Sequence, residues 1–161
     1  MARTLVMSIR PAYAARIFEG TKAVELRRTR PHIDGGDVVL VYASSPVKAL
    51  IGAFAVGGII SEDVAGMWKR HSSKLGVSLA EYAAYFEGVD FAYGLRVAAQ
   101  VSFTPVSLES LRQSVGFRPP QSYMFWHGGL ADLVPRAAEA QLRAMYAAFV
   151  AIGHAGTGIA P

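Results

Sequence analysis

Apolar and polar residues alternate along this chain with the periods of strands and helices. Apolar runs bounded by turn residues predict four strands. They cover residues 4–9, 38–43, 47–60 and 94–103. The third run contains Gly52 and Gly57, and because glycine in a strand often marks a bend, we expect that strand to bend at one of them.

Helical segments are predicted between these strands. Pro11 suits the first turn of a helix, and Gly20 suits its end. Residues 61–88 read as an inserted pair of helices, the first capped by Ser61 and the second opened by a Ser78–Glu81 capping box. No residue pattern in this insertion predicts a catalytic site, and its aromatic residues are predicted to lie in the hydrophobic core. These residues are Trp68, Tyr82, Tyr85 and Phe86.

The last third of the chain predicts two further helices. A short one covers residues 107–113, and an amphipathic one covers 136–152, where apolar residues form a single stripe. The stripe fits packing on the sheet or a dimer contact equally well. The tail at 153–161 consists of small residues and is predicted to be frayed. No repeat or linker divides the chain, so we expect one domain over residues 1–161.

Composition narrows the class of protein. At 161 residues and 52% hydrophobic, the chain is large enough to bury a core without stabilising cross-links such as disulfides or bound metals. It has no cysteine for a disulfide framework or a thiolate zinc site. The longest apolar stretch, 49–60, is too short to span a bilayer, and no signal-peptide pattern opens the chain. We therefore expect a cytoplasmic protein without a membrane partner.

Charge is distributed unevenly. The net charge is +4, and residues 1–48 hold eight basic and four acidic side chains, whereas the remainder holds eight of each sign. A local basic field attracts anionic partners such as RNA, although surface clustering by chance would look the same. The four histidines are scattered without metal-ligand spacing, so neither a metal site nor a cofactor is predicted.

The densest polar pattern follows the first helix. In the strand-like segment 24–27, Val24 and Leu26 alternate with Glu25 and Arg27, which places the two charged side chains on the face opposite the core. Lys22 lies at the entrance to this strand. The three charges together could hold a polar or anionic ligand, or they could simply protect an exposed hairpin edge.

Two other segments combine polar groups with turn residues. Between predicted strands, Tyr42 is followed by Ser44, Ser45 and Lys48, and such a turn can cradle an anionic oxygen. Further along, two prolines precede a short polar and aromatic stretch that is suited to base contacts. It contains Gln121, Ser122 and Tyr123.

These segments resemble the ASCH domain family of the PUA-like superfamily. The resemblance rests on GTKAVELRR (20–28), GDVVLVYASSPVKALIGAF (36–54) and RPPQSYMFW (118–126), and it extends over residues 4–127. It implies an α+β fold, a PUA-like β-barrel with flanking helices, in which the three segments surround one cleft.

The resemblance also implies a set of functions. Members of the family are associated with RNA binding, transcription coactivation, cleavage of single-stranded RNA and amide hydrolysis of acylated cytidine. The ribonuclease function would need no metal and would use Tyr42, Lys48 and Ser122 as catalytic residues. The expected contacts to single-stranded RNA or a nucleotide are Lys22, Glu25, Arg27, Arg28, Ser44, Ser45, Gln121 and Tyr123.

Two alternatives remain open at this level. The amidohydrolases of the family carry a threonine nucleophile three residues after the lysine, where this chain has Glu25. This departure weighs against acylated cytidine as a substrate. The other alternative is a module without catalytic activity that binds a modified base or a transcription partner.

Overall fold

In a computed structural model, residues 2–155 are described, and residues 156–161 of the predicted frayed tail lie outside this range. The strands are β1 (Thr4–Ile9), β2 (Val24–Arg27), β3 (Val38–Ala43), β4 (Ala49–Asp63), β5 (Phe91–Ser107) and β6 (Tyr123–Trp126). The helices are α1 (Pro11–Glu19), α2 (Val64–Leu75), α3 (Leu79–Tyr85), α4 (Leu108–Val115) and α5 (Arg136–Ala155), with a 3-10 turn at Leu130–Asp132.

All six strands form one mixed sheet in the order β2-β5-β4-β3-β1-β6. The β1–β3 pair is parallel and the other four pairs are antiparallel. The two edge strands, β2 and β6, are not paired with each other in the described part of the chain, so the sheet is open rather than a closed barrel. The α+β class with flanking helices is confirmed.

Hydrophobic cores cover both faces of the sheet. The residues Val38, Leu40 and Tyr42 of β3 face a cluster that includes α4 and α5, whereas Val39 and Val41 face a cluster that includes α1. A third cluster joins β2 to α2 and α3. The predicted C-terminal stripe therefore packs on the sheet.

The inserted helices lie where the sequence predicts them, with one difference at their start. Strand β4 continues to Asp63, and the Asp63 carboxylate, not Ser61, caps α2 by accepting a hydrogen bond from the Gly66 N–H at 2.6 Å. Ser61 stays in the strand because it pairs with Tyr93 of β5. The capping box of Ser78 and Glu81 is confirmed.

No helix in residues 2–155 combines the length and the apolar character that a bilayer crossing needs.

Candidate functional site

Lys22 is held inside the protein between α1 and β2. Gly20 ends α1 in the left-handed conformation (φ 86°), and the Lys22 N–H then donates to the Arg16 carbonyl. The Lys22 side chain is only 2% exposed, and its Nζ donates a 2.8 Å hydrogen bond to the Leu75 carbonyl. Burial lowers the pKa of Lys22, although the charges of Glu25 and Glu81 oppose this change.

Glu25 and Arg27 lie on the same face of β2, as the alternation predicts. Val24 and Leu26 are buried in the core formed with α2 and α3. The Glu25 Oε1 atom lies 3.4 Å from Arg27 Nη2. Both side chains are mostly buried, at 7% and 14% exposure, so the alternative of an exposed charged hairpin edge is wrong.

Arg27 connects the two open edges of the sheet. Its Nη2 donates to the Ser8 carbonyl of β1 at 3.3 Å, and its Nη1 donates to Ser122 Oγ, just before β6, at 3.4 Å. Two atoms of this cluster have no hydrogen-bond partner among the described residues. They are Glu25 Oε2 and Arg27 Nε.

A cavity of about 280 Å³ opens beside this charged cluster. The residues of the cluster that line it are Lys22, Glu25 and Arg27. Its other walls come from β1 and α1, from two turns, and from the inserted helix α3. They include Ser8, Arg10, Tyr13, Ser44, Glu81, Tyr82, Tyr85 and Gln121.

The inserted segment supplies a whole wall of the cavity, which the sequence did not predict. The Tyr85 hydroxyl donates to the Leu26 carbonyl at 3.1 Å, and burial raises the pKa of Tyr85. The Ser78 N–H and the Arg16 guanidinium hold the pKa of Glu81 below its usual value, against partial desolvation. Tyr82 belongs to the core as predicted, yet it also lines the cavity.

Five of the predicted ligand contacts converge on the cavity, and they come from three separate segments of the chain. They are Lys22, Glu25, Arg27, Ser44 and Gln121. Ser122 joins them through its contact with Arg27. The other predicted contacts do not line the cavity: Arg28 donates to the Glu87 carbonyl, Ser45 lies in the exposed turn, and the Tyr123 hydroxyl accepts from the His32 N–H.

Tyr42 and Lys48, two of the three predicted catalytic residues, do not line the cavity. Tyr42 is 3% exposed and packs 6.0 Å from the Phe117 ring, because the period of β3 turns it to the face of Val38 and Leu40. Burial raises the pKa of Tyr42, against the nearby charge of Arg112. Tyr42 pairs with Ser8 of β1, and the Ser8 N–H donates to the Ser122 carbonyl, so Tyr42 and Ser122 flank the same residue; their shared catalytic role stays a prediction. Lys48 is exposed on its turn at φ 51° and does not line the cavity.

Sequence reasoning missed Ser8, Arg10, Tyr13 and Glu81 as cavity residues. Arg10 lies in the short loop between β1 and α1, immediately before the predicted start of the helix. This position was the one sequence feature that could have indicated Arg10 as a cavity residue. No cluster of three or more histidine or acidic side chains suited to a metal occurs in residues 2–155.

A family model described as "ASCH domain" matches residues 7–104, more than half of the chain. The chain belongs to the ASCH domain family. A relative named "ASCH domain-containing ribonuclease" from Zymomonas mobilis is 33% identical over 118 residues, which cover 73% of this chain and 80% of that protein. The large ribosomal subunit protein uL22 of Ureaplasma parvum is 33% identical over 93 residues, but these make up only 30% of that protein.

Solved structures agree with this ASCH assignment. The crystal structure of the Zymomonas mobilis ASCH protein has a TM-score of 0.73 and 28% sequence identity, and it covers 89% of this chain and 95% of that one. Variants of that protein in which a tyrosine is replaced by phenylalanine or a serine by alanine match with TM-scores of 0.73 and 0.72. The family predicted from the three motifs is confirmed.

Proposed function

We propose that this ASCH protein binds single-stranded RNA with one nucleotide in the cavity and cleaves the adjacent phosphodiester bond. The observation that carries this proposal is the convergence of Lys22, Glu25 and Arg27 on one cavity with tyrosines in its walls. The similarity to a relative named as a ribonuclease supports the same reaction class.

The size of the cavity favours a single nucleotide. Its volume of about 280 Å³ lies just below the range of roughly 300–1,000 Å³ that is usual for ligand sites. A base in a duplex is paired and stacked, whereas a base in a single strand can leave its neighbours and stack on aromatic side chains. Tyr13 and Tyr85 line the cavity and offer such rings. Single-stranded RNA is therefore the better fit.

The mouth of the cavity suits the phosphate backbone. Arg10 is exposed and lines the cavity, and the Arg27 guanidinium reaches Ser122 at 3.4 Å. The turn carrying Ser44, Ser45 and Lys48 begins beside the cavity, because Ser44 lines it. Cationic side chains and hydroxyl groups around a mouth of this kind bind phosphate oxygens without reading the base.

Cleavage would proceed by attack of the ribose 2′-oxygen on the neighbouring phosphorus. The bond from phosphorus to the 5′-oxygen breaks, which leaves a 2′,3′-cyclic phosphate and a 5′-hydroxyl group. The reaction needs transfer of a proton from the 2′-hydroxyl to the leaving oxygen and positive charge near the phosphorane. We assign the charge to Lys48 and a proton-relay role to Ser122. Tyr42, which pairs with Ser8 of β1 in the sheet, is the third candidate and would donate or relay the proton together with Ser122.

A binding module without turnover is the second candidate function. The position of Lys48, exposed on its turn and outside the cavity lining, favours it, because catalytic groups must meet at one reacting phosphate. Release of a carboxylic acid from acylated cytidine would instead support the amidohydrolase alternative.

The test is a single-turnover cleavage assay on a labelled single-stranded RNA, with protein freed of contaminating nucleases. We expect Lys48→Ala to slow cleavage by about a hundredfold or more, because a positioned charge at a transition state contributes that much. Ser122→Ala and Tyr42→Phe should also slow cleavage, because each variant removes a hydroxyl group that is proposed to donate or relay the proton.

Two controls complete this assay. Lys69→Ala removes the same charge from an exposed helical position that does not line the cavity, and it should cleave at the wild-type rate. A 2′-deoxy substitution at the cleavage position should abolish the reaction. A wild-type protein that cleaves no faster than Lys48→Ala would contradict the ribonuclease and favour the binding module.

A further inference from the structure

One oxygen of Glu25 is prepared to accept a hydrogen bond that the protein does not supply. Glu25 lines the cavity and is 6% exposed, and its Oε2 atom has no hydrogen-bond partner among the described residues. A buried acceptor without a donor is costly. The ligand that enters the cavity is therefore expected to bring an N–H or O–H group to this atom.

Glu25 cannot easily turn away from the cavity to satisfy that oxygen. Its Oε1 atom is paired with Arg27 Nη2, and Arg27 is itself tied to the Ser8 carbonyl and to Ser122 Oγ. These contacts orient the carboxylate before any ligand arrives. A group positioned in this way binds a matching ligand at a lower cost in conformational entropy and does not rearrange easily to suit a mismatched ligand.

The RNA bases differ in what they present to such an acceptor. Cytosine and adenine carry an exocyclic amino group, which donates, next to a ring nitrogen that accepts. Uracil and hypoxanthine carry a carbonyl oxygen at the same position, and two acceptors that face each other repel. Carboxylate side chains characteristically accept from the amino group of cytosine.

Lys22 complements Glu25 at the same edge of the base. An ammonium group has three N–H donors, and one of them is used by the Leu75 carbonyl. A remaining donor of Lys22 can serve the ring nitrogen beside the amino group. An acceptor at Glu25 and a donor at Lys22 together match the donor–acceptor edge shared by cytosine and adenine.

We propose that the cavity reads the exocyclic amino group of a nucleobase through Glu25 Oε2 and so selects cytosine or adenine over uracil or hypoxanthine. This inference rests on the proposed function, in which one nucleotide enters the cavity. It adds a specificity-determining residue to that function and a chemical class of base.

Two pairs of mononucleotides test the proposal, because each pair differs only by an amino group against a carbonyl. They are CMP with UMP, and AMP with IMP. By isothermal titration calorimetry with the wild-type protein, we expect the amino member of each pair to bind about tenfold more tightly or better. Equal affinities within both pairs would overturn the inference.

The substitution Glu25→Gln should move both ratios in the opposite direction. Arg27 will hold the amide oxygen, which turns the NH₂ group toward the cavity and replaces an acceptor by a donor. UMP and IMP should then bind at least as well as CMP and AMP. A preference for the amino bases that survives this substitution would assign the recognition to another group.

Glu62→Gln is the matched control outside the cavity. The Glu62 oxygens are paired with Arg70 and His71 and do not line the cavity, so this variant should keep the wild-type ratios. If Glu25→Gln does not fold, as judged by circular dichroism, the affinities of the wild-type protein for the two members of each pair still test the proposal. RNA cleavage with no discrimination within the pairs would overturn this inference alone, and discrimination without cleavage would overturn only the cleavage step.

Discussion

Buried charged residues mark two distinct sites in residues 2–155. Lys22, Glu25 and Asp37 are the polar residues that the described fold buries. The first two border the cavity, whereas Asp37 fastens the start of β3 to β1. Its Oδ2 atom lies 2.6 Å from Arg3 Nη2 and accepts a hydrogen bond from the Asp34 N–H at 2.9 Å. Asp37 is therefore satisfied within the protein, whereas Glu25 keeps one oxygen without a hydrogen-bond partner among the described residues.

The Asp37 site predicts an acid-sensitive contribution to stability. Burial by itself would raise the pKa of Asp37, but the hydrogen bonds from Arg3 and Asp34 outweigh it and hold the pKa below the ordinary 3.8. The unfolded chain therefore binds the proton more readily, so the stabilisation is complete well above pH 3.8 and is lost as the pH falls through the lowered pKa. At neutral pH, Asp37→Asn should cost about 1–2 kcal/mol, because Arg3 is half exposed.

Urea unfolding of wild type and Asp37→Asn between about pH 2 and pH 7 measures this difference. Asp34→Asn is the control, since its carboxylate is 83% exposed and should contribute little at any pH. A wild-type advantage over Asp37→Asn that stays constant down to the lowest pH would show that the charge of Asp37 is not its source.

At the scale of elements, the contact of α1 with β4 supports the cavity, because α1 carries Tyr13 and leads into Lys22. Gly52 permits that contact. A Cβ atom at Gly52 would lie 2.5 Å from the Phe18 ring and 2.6 Å from the Val101 carbonyl oxygen. The ladder of β4 with β5 is also irregular between Leu50 and Gly52. Close approach of α1 thus requires a residue without a side chain at this position.

Gly52→Ala should therefore destabilise the protein by about 1–3 kcal/mol, the usual cost of overpacking, because the Val101 carbonyl belongs to the sheet and cannot easily move. The midpoint of urea unfolding measures this effect. Gly153→Ala in α5 is the control, since a Cβ atom there meets nothing within 4 Å. A Gly52→Ala variant as stable as the control would contradict the close packing of α1 on β4.

At the scale of the whole molecule, the basic excess divides into buried and exposed cations. Lys22 and Arg27 donate hydrogen bonds to protein atoms inside the fold. Arg10 is exposed, lines the cavity and has no side-chain hydrogen bond among the described residues. Long-range attraction of RNA should therefore depend on Arg10 and other exposed cations more than on the buried pair.

Arg10→Ala should reduce the slope of log affinity against log salt concentration by about 0.7, the value for one phosphate contact with a single strand. Fluorescence anisotropy with a labelled single-stranded RNA at several salt concentrations measures the slope. Arg143→Ala on α5 is the matched control, because Arg143 is paired with Glu139 and does not line the cavity. An unchanged slope in Arg10→Ala would move the path of the RNA away from this mouth.

Features that depend on neighbouring residues could be predicted from the sequence. Strand alternation placed Glu25 and Arg27 on one face of β2, and the Ser78–Glu81 capping box located the start of α3. Both follow from local geometry, since side chains alternate along a strand and a cap acts within one turn. The three family motifs likewise predicted the α+β fold, and the family model that matches residues 7–104 contains the first two of them.

Contacts between residues far apart in the chain could be identified only from the folded protein. Tyr42 lies in the core cluster with Val38 and Leu40 and does not line the cavity. Strand β3 is buried on both faces, so its continuous apolar run does not reveal which face each residue takes. The wall supplied by Glu81 and Tyr85 depends on how the insertion folds back over β2. The bridge from Arg27 to Ser8 and Ser122 depends on the curvature of the whole sheet. Contacts of this kind join residues far apart in the chain, so local sequence patterns do not encode them.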